Sequence, residues 1–466
     1  METPTHPKDA LAALWRLAGQ PPEALGAVEL TGAEPVLPST FAVGTAAQAT
    51  IAAAALASAE LWRLRTGKQQ RVSVAMRDAG IEFRSEHYLR VNGEPTPGIW
   101  NKIAGLYRCG DGRWVRLHTN FPHHRDGVLK LLGCEHDRAA VQHELDRWKG
   151  EDFETTAADA GLVVTMTRTF AEWDAHGQGR ALARLPVFSI ERIGDAPPRP
   201  LPPGERPLSG VRVLDLTRVI AGPVCGRTLA AHGADVMLVT AAHLPQMGAL
   251  VIDSGRGKLS TFVDLRDAAG RETLSGLLRD ADIFVQGFRP GAVANTGFCP
   301  EQAAAARPGI IYVSLCAYGH EGPWAGRRGF DSLVQNANGM NDAEATAAGA
   351  TQPKPLPCQA LDHGAGYLMA FGAMTALARR AQEGGSWHVR VSLAQTGQWI
   401  RGLGRVANGL ACPDPHFEDV GDRLEEMDSG FGRLTTVRHA AVMSETTSRW
   451  ARPSVPVGTH APTWPV

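Results

Sequence analysis

The chain has 466 residues, with 47 basic and 48 acidic side chains, 44% hydrophobic and 20% charged residues. At roughly 150 residues per domain this length holds about two or three domains and a large core, and the composition excludes a mostly disordered chain. A formal net charge of -1 excludes an overall pull towards nucleic acid or an anionic membrane.

Cys109, Cys134, Cys225, Cys299, Cys316, Cys358 and Cys412 are far apart, odd in number and without a C-x-x-C pair. Free thiols, and with them a cytoplasmic location, are the expectation. The start, Met1 to Asp9, has no basic segment leading into an apolar run, so no secretory signal is read. The longest apolar stretches are Ala-rich and shorter than a bilayer requires, so no membrane span is expected.

In chain order, an Ala-rich helix through Ala46, Ala54, Ala57 and Ala59 follows a Pro-containing loop and leads to a strand at Arg71-Val72-Ser73. His118, His123 and His124 form a cluster without metal-ligand spacing and read as surface histidines. Ala196 to Pro207 is rich in proline, which lacks the backbone donor and fixes φ, so it reads as a linker. Beyond it, strands are predicted at 211–216, 236–239, 261–265, 281–285 and 310–314. Ala221-Gly222-Pro223 reads as a turn before a helix through Arg227 to Ala231. Strands alternating with helices predict an α/β fold, a doubly wound parallel sheet of Rossmann-like kind, with a smaller α+β portion.

The first turn is not G-x-G-x-x-G, and the second strand ends in Val239-Thr240 without an acid for a ribose hydroxyl. A dinucleotide is therefore not expected, although a helix N-terminus behind a small turn can receive a phosphate. No G-x-S-x-G or Walker loop is present. A shift that puts Arg71-Val72-Ser73 on Arg390-Val391-Ser392 also superposes alanines of two Ala-rich helices, which reads as an internal repeat. In that register Val43 lies opposite Asp362. Asp362 has two readings: an N-cap for the helix after it, or a nucleophile, ionised near a helix N-terminus with Gly364 and Gly366 clearing space for a ligand.

Several segments in order resemble CoA-transferase family III, the carnitine and formyl-CoA transferase group. They are Leu208 to Arg218 with Ala221-Gly222-Pro223, Arg256-Gly257-Lys258 with Val263-Asp264-Leu265, Gly287-Phe288-Arg289-Pro290-Gly291, Tyr318 to Pro323, Gly329-Phe330-Asp331, and Asp362. The resemblance implies CoA transfer from an acyl-CoA to a carboxylic acid through an aspartyl-CoA thioester on Asp362. It implies CoA contacts from Arg218, Ala221, Gly222, Pro223, Arg256, Lys258, Phe288 and Arg289. CoA is a substrate, and no cofactor or metal is implied. Acyl-CoA and carboxylate are the expected partners, with a homodimer as the family's arrangement. Two alternatives are a non-catalytic CoA-binding or partner subunit and an acyl-CoA racemase or isomerase. The second loses its base because Phe330 stands where related racemases carry histidine.

Arg65 to Val74 and Tyr107 to Val115 resemble the part of the family downstream of the nucleophile. The expected layout is 1–195, a back portion lacking the nucleophile; 196–207, the linker; 208–400, the large domain with Asp362; and 401–466, a C-terminal segment. Glycine at 287 replaces a frequent asparagine, the stretch after Val239 lacks its usual acid, and no glycine run resembles a mobile active-site loop.

Overall fold

The computed structural model describes residues 4–465. Met1, Glu2 and Thr3, part of the segment read for a leader, and Val466 of the C-terminal segment lie outside the described residues.

Seven strands make the main sheet: β1 (Phe188–Gly194), β2 (Arg212–Leu216), β3 (Asp235–Thr240), β4 (Lys258–Phe262), β5 (Ile283–Gln286), β6 (Ile311–Cys316) and β7 (Ser386–Ser392). Their order is β4-β3-β2-β5-β6-β7-β1. The first six in that order are parallel and β1 is antiparallel to β7. The chain winds outward from β2 to β4, returns to β5 beside β2, and then winds the other way. The carboxyl ends of β2 and β5 therefore flank the switch point, where open α/β sheets bind ligands.

Four helices frame this end of the sheet: α1 (Val43–Thr66), α2 (Ala221–Ala231), α3 (Asp331–Ala337) and α4 (Ala360–Glu383). Alanine and glycine along α1, α2 and α4 let these backbones approach closely in one buried cluster with the inner face of the sheet. The opposite sheet face packs Phe284 and Tyr312 with Leu274, Leu277 and Leu278 of a helix at Ala268–Arg279. A three-stranded antiparallel sheet (Gly105–Arg108, Trp114–Leu117, Val164–Met166) with helices at 122–132, 138–145 and 150–159 forms the smaller α+β portion, with its own core.

Segments far apart in sequence interlock. β1, from before the Pro-rich segment, pairs with β7, and Ala441–Met443 pairs with Val72–Ala75. Residues 196–204 form neither helix nor strand. No helix among the described residues is long and apolar enough to cross a membrane, and the seven cysteines are unpaired.

Two local expectations shift. Ala221-Gly222-Pro223 is not a turn but the first turn of α2, where proline's missing N–H costs nothing. The third strand covers 258–262 rather than 261–265. Its buried polar residues Lys258, Ser260 and Thr261 hide it from a search for apolar runs.

Candidate active site

A cavity of about 410 Å³ lies at the switch point. Leu216, Arg218 and Val219 reach it from the end of β2, Gly287 to Arg289 from the end of β5, and Leu315 and Cys316 from β6. Arg327 to Phe330 come from the loop before α3, and Asp362 from the first turn of α4. Phe121, His123 and His124 lean over it from the α+β portion. The cavity thus gathers residues from both sequence halves.

Asp362 is 6% exposed and is not an N-cap: that position is Gln359, which makes no side-chain capping bond. The Asp331 carboxylate caps the helix instead, accepting the N–H of Leu361 at 2.8 Å and of Asp362 at 2.9 Å. Gln335 donates its side-chain amide to the other Asp331 oxygen. Because Asp331 satisfies the backbone, the Asp362 side chain need not turn back on its own helix.

Burial, reinforced by the negative charges of Asp331 and Glu86, raises the Asp362 pKa well above the ordinary range. The expectation that the helix N-terminus keeps this acid ionised is therefore corrected: desolvation and two like charges outweigh the dipole. Gly364 and Gly366 also differ from expectation. A Cβ on Gly366 would meet the Ala221 carbonyl at 2.5 Å and Val224 at 2.8 Å, and one on Gly364 would meet Thr396 at 3.2 Å. They clear space for neighbouring helices, not for a ligand.

The implied CoA contacts divide into two groups. Arg218, Ala221, Phe288 and Arg289 line the cavity. Gly222, Pro223, Lys258 and Arg256 do not, and each has a packing or bonding reason. Gly222 lies against Thr217, which a Cβ would approach to 2.3 Å. Lys258 is buried, and its Nζ donates to Asp215 and to the Pro223 carbonyl, both at 2.8 Å. Asp215 in turn accepts from the Thr217 N–H at 3.1 Å, so Lys258 fixes the loop that leads to the cavity. Arg256 is fully buried, bonded to Asp253 at 3.0 Å and the Val437 carbonyl at 2.7 Å, with its guanidinium 4.0 Å from the Trp450 ring centre. A buried cation already paired in this way has little left for a phosphate.

Sequence reading passed over Arg327 and Arg328, whose signal was an adjacent pair just before Gly329-Phe330-Asp331. With Arg218 and Arg289 they put four guanidinium groups on the cavity wall, and none is in an ion pair among the described residues. Burial and the charge of Arg289 lower the Arg328 pKa, the sign of cations crowded without a counter-ion. Such a wall favours a polyanionic ligand. Val219, between Arg218 and α2, has φ of 75°. A β-branched residue there costs about 1–3 kcal/mol and marks a strained cavity wall.

Of the three histidines read as surface residues only His123 is exposed. His118 and His124 are each 4% exposed, and burial pushes both down to about 3, so both are neutral. His118 stacks on Phe330 with ring centres 3.9 Å apart, and neither ring nitrogen of His124 has a partner. Their burial comes from the α+β portion closing over the sheet, which local sequence does not encode.

A family model described as CoA-transferase family III matches residues 22–197 and 208–407. An acetyl-coenzyme A transferase of Hypoxylon pulicicidum is 29% identical over 64% of this chain and 54% of its own length. A formyl-CoA:oxalate CoA-transferase of Streptomyces coelicolor is 29% identical over 48% of this chain and 58% of its own length. The chain spans little more than half the length of these relatives. A solved CAIB/BAIF family protein from Brucella suis is 26% identical, with 49% of this chain and 65% of that one covered, at a TM-score of 0.38. With most of both halves matched, the chain belongs to CoA-transferase family III.

Proposed function

We propose that this chain transfers CoA from an acyl-CoA thioester to a carboxylic acid, with Asp362 as the nucleophile. The observation that carries the reading is one carboxylate with no capping duty, set in a cavity walled by four unpaired arginines at the switch point. The ionised Asp362 attacks the thioester carbonyl, the C–S bond breaks, and CoA leaves as thiolate. The thiolate attacks the aspartyl carbonyl of the resulting anhydride, releasing the donor acid and leaving an aspartyl-CoA thioester. An acceptor carboxylate attacks that thioester, and the displaced thiolate then takes the acceptor's acyl group and frees Asp362. Each difficult exchange is divided into easier ones.

Arg218, Arg289, Arg327 and Arg328 would hold the phosphates of CoA. Phe288 would pack beside the bound ligand. The test is peptide mass spectrometry after incubation with a panel of acyl-CoAs and borohydride. Reduction of the aspartyl thioester to an alcohol at Asp362 is expected. Turnover of CoA with no modification at Asp362, or unchanged turnover in Asp362→Ala, would overturn the assignment.

A further inference from the structure

Three polar side chains lie in a row on the sheet face that packs Phe284 and Tyr312. Gln286 ends β5, Ser314 is its register partner on β6, and His388 sits on β7. They are 5%, 3% and 4% exposed. Buried polar groups at sheet centres are costly unless bonded, and here they are bonded in series. The Phe288 N–H donates to Gln286 Oε1 at 2.7 Å, and the Gln286 amide nitrogen donates to Ser314 Oγ at 3.0 Å. Ser314 Oγ lies 2.8 Å from His388 Nε2.

Ser314 Oγ thus accepts from Gln286 and shares a further hydrogen bond with His388 Nε2. Burial, helped by the positive charges of Arg390 and His320, holds the His388 pKa down to about 3, so the ring stays neutral. All three side chains face a second cavity of about 330 Å³, which His320 and Arg390 also line. Pro290 and Gly291 line this second cavity, whereas Phe288 and Arg289 line the one with Asp362. One loop therefore separates the two cavities, and the row grips its backbone at Phe288.

We propose that Gln286, Ser314 and His388 are positioning residues that fix the Phe288–Arg289 wall of the Asp362 cavity and so set how tightly the CoA part of the thioester is held. This rests on the CoA-transferase reading above. None of the three lines the cavity with Asp362, so their effect falls on binding more than on the chemical step.

The test uses the full chain as wild type, Ser314→Ala, Ser314→Thr and Gln286→Glu. The KM for acyl-CoA and the CoA Kd by calorimetry rise about 5- to 10-fold in Ser314→Ala, the equivalent of one lost hydrogen bond. Its kcat stays within about twofold, and Ser314→Thr restores KM because the hydroxyl returns. Gln286→Glu, a side chain of the same size that no longer donates to Ser314, raises KM and Kd in the same sense.

A Ser314→Ala protein with reduced kcat and unchanged KM and Kd, which is what a merely structural role gives, overturns the proposal. If Ser314→Ala does not fold, the Kd of Gln286→Glu decides, and an unchanged value overturns the proposal. Wild-type protein that binds CoA but transfers none defeats the transferase reading alone, since Kd still judges the row.

Discussion

α1 and α4 are two versions of one device. Each is 24 residues long, each precedes a short strand that runs directly into another helix, and they pack against each other in the core. Neither N-cap residue, Ala42 or Gln359, makes a side-chain bond to its helix. A carboxylate from elsewhere caps both: Glu34 accepts the Thr45 N–H at 2.6 Å, and Asp331 accepts those of Leu361 and Asp362. Aligning the first helical residues, Val43 and Ala360, sets Thr45 opposite Asp362; the sequence register, which offered Val43, is out of step with the helix starts. The first turn of α1 is closed by packing, since a Cβ on Gly44 would meet Val36 at 2.6 Å and Glu34 at 2.9 Å. The capping carboxylate is thus part of the helix-start architecture and survives without chemistry. A nucleophile needs more: a second carboxylate, open space, and cations on the wall of that space.

The largest expected effect separates the two helix starts outright. Asp362→Ala should lower CoA transfer by about 10⁴-fold or more, as for other nucleophiles that act with their surroundings as a unit, measured as initial rates with matched folded protein. Thr45→Asp should restore nothing in that background. It puts a second carboxylate beside Glu34 in a packed turn, so the expected result is a lower melting temperature and no borohydride-trapped residue at 45. Trapping there would mean that cavity and cations are dispensable.

Next come the glycines. Gly366→Ala drives a Cβ into the Ala221 carbonyl and Val224, a rigid contact between α4 and α2. Overpacking of this kind costs about 1–3 kcal/mol, measurable by urea unfolding. Because Ala221 lines the cavity, the KM for acyl-CoA should rise as well. Gly44→Ala meets the Val36 side chain and should cost a similar amount in stability, with KM unchanged.

The sequence made the doubly wound sheet legible because four of its parallel strands, β2, β3, β5 and β6, are short apolar runs alternating with helices. β4 was misplaced because Lys258 is buried with its charge met by Asp215, and buried polar residues break the pattern that marks a strand. β1 was not read at all: it is an edge strand whose pairing with β7 depends on the distant half of the chain. Asp362 was legible from ordered motifs, as were Arg218, Phe288 and Arg289. Arg256 and Lys258 carry the same charge in the same motifs, yet point into the core, and no local feature of R-G-K says which. His124 and Phe121 reach the site only through tertiary closure. Asp331 was visible as part of Gly329-Phe330-Asp331, but a cap supplied by another helix has no spacing rule.

The smallest effect is a pH response that tells the two caps apart. Burial raises the pKa values of both Glu34 and Asp331. The folded chain therefore holds protons on these groups at pH values where the unfolded chain has released them. Stability from these groups falls as pH rises from the ordinary carboxylate range through the raised values. Glu34→Gln and Asp331→Asn should each flatten that fall in urea unfolding between about pH 4 and 7. Only Asp331→Asn should also affect catalysis, since it removes a negative charge that opposes ionisation of Asp362. The rising limb of the rate against pH should move about one unit to lower pH in Asp331→Asn and stay in place in Glu34→Gln. An equal shift in both variants would mean that the limb follows general stability rather than the ionisation of Asp362.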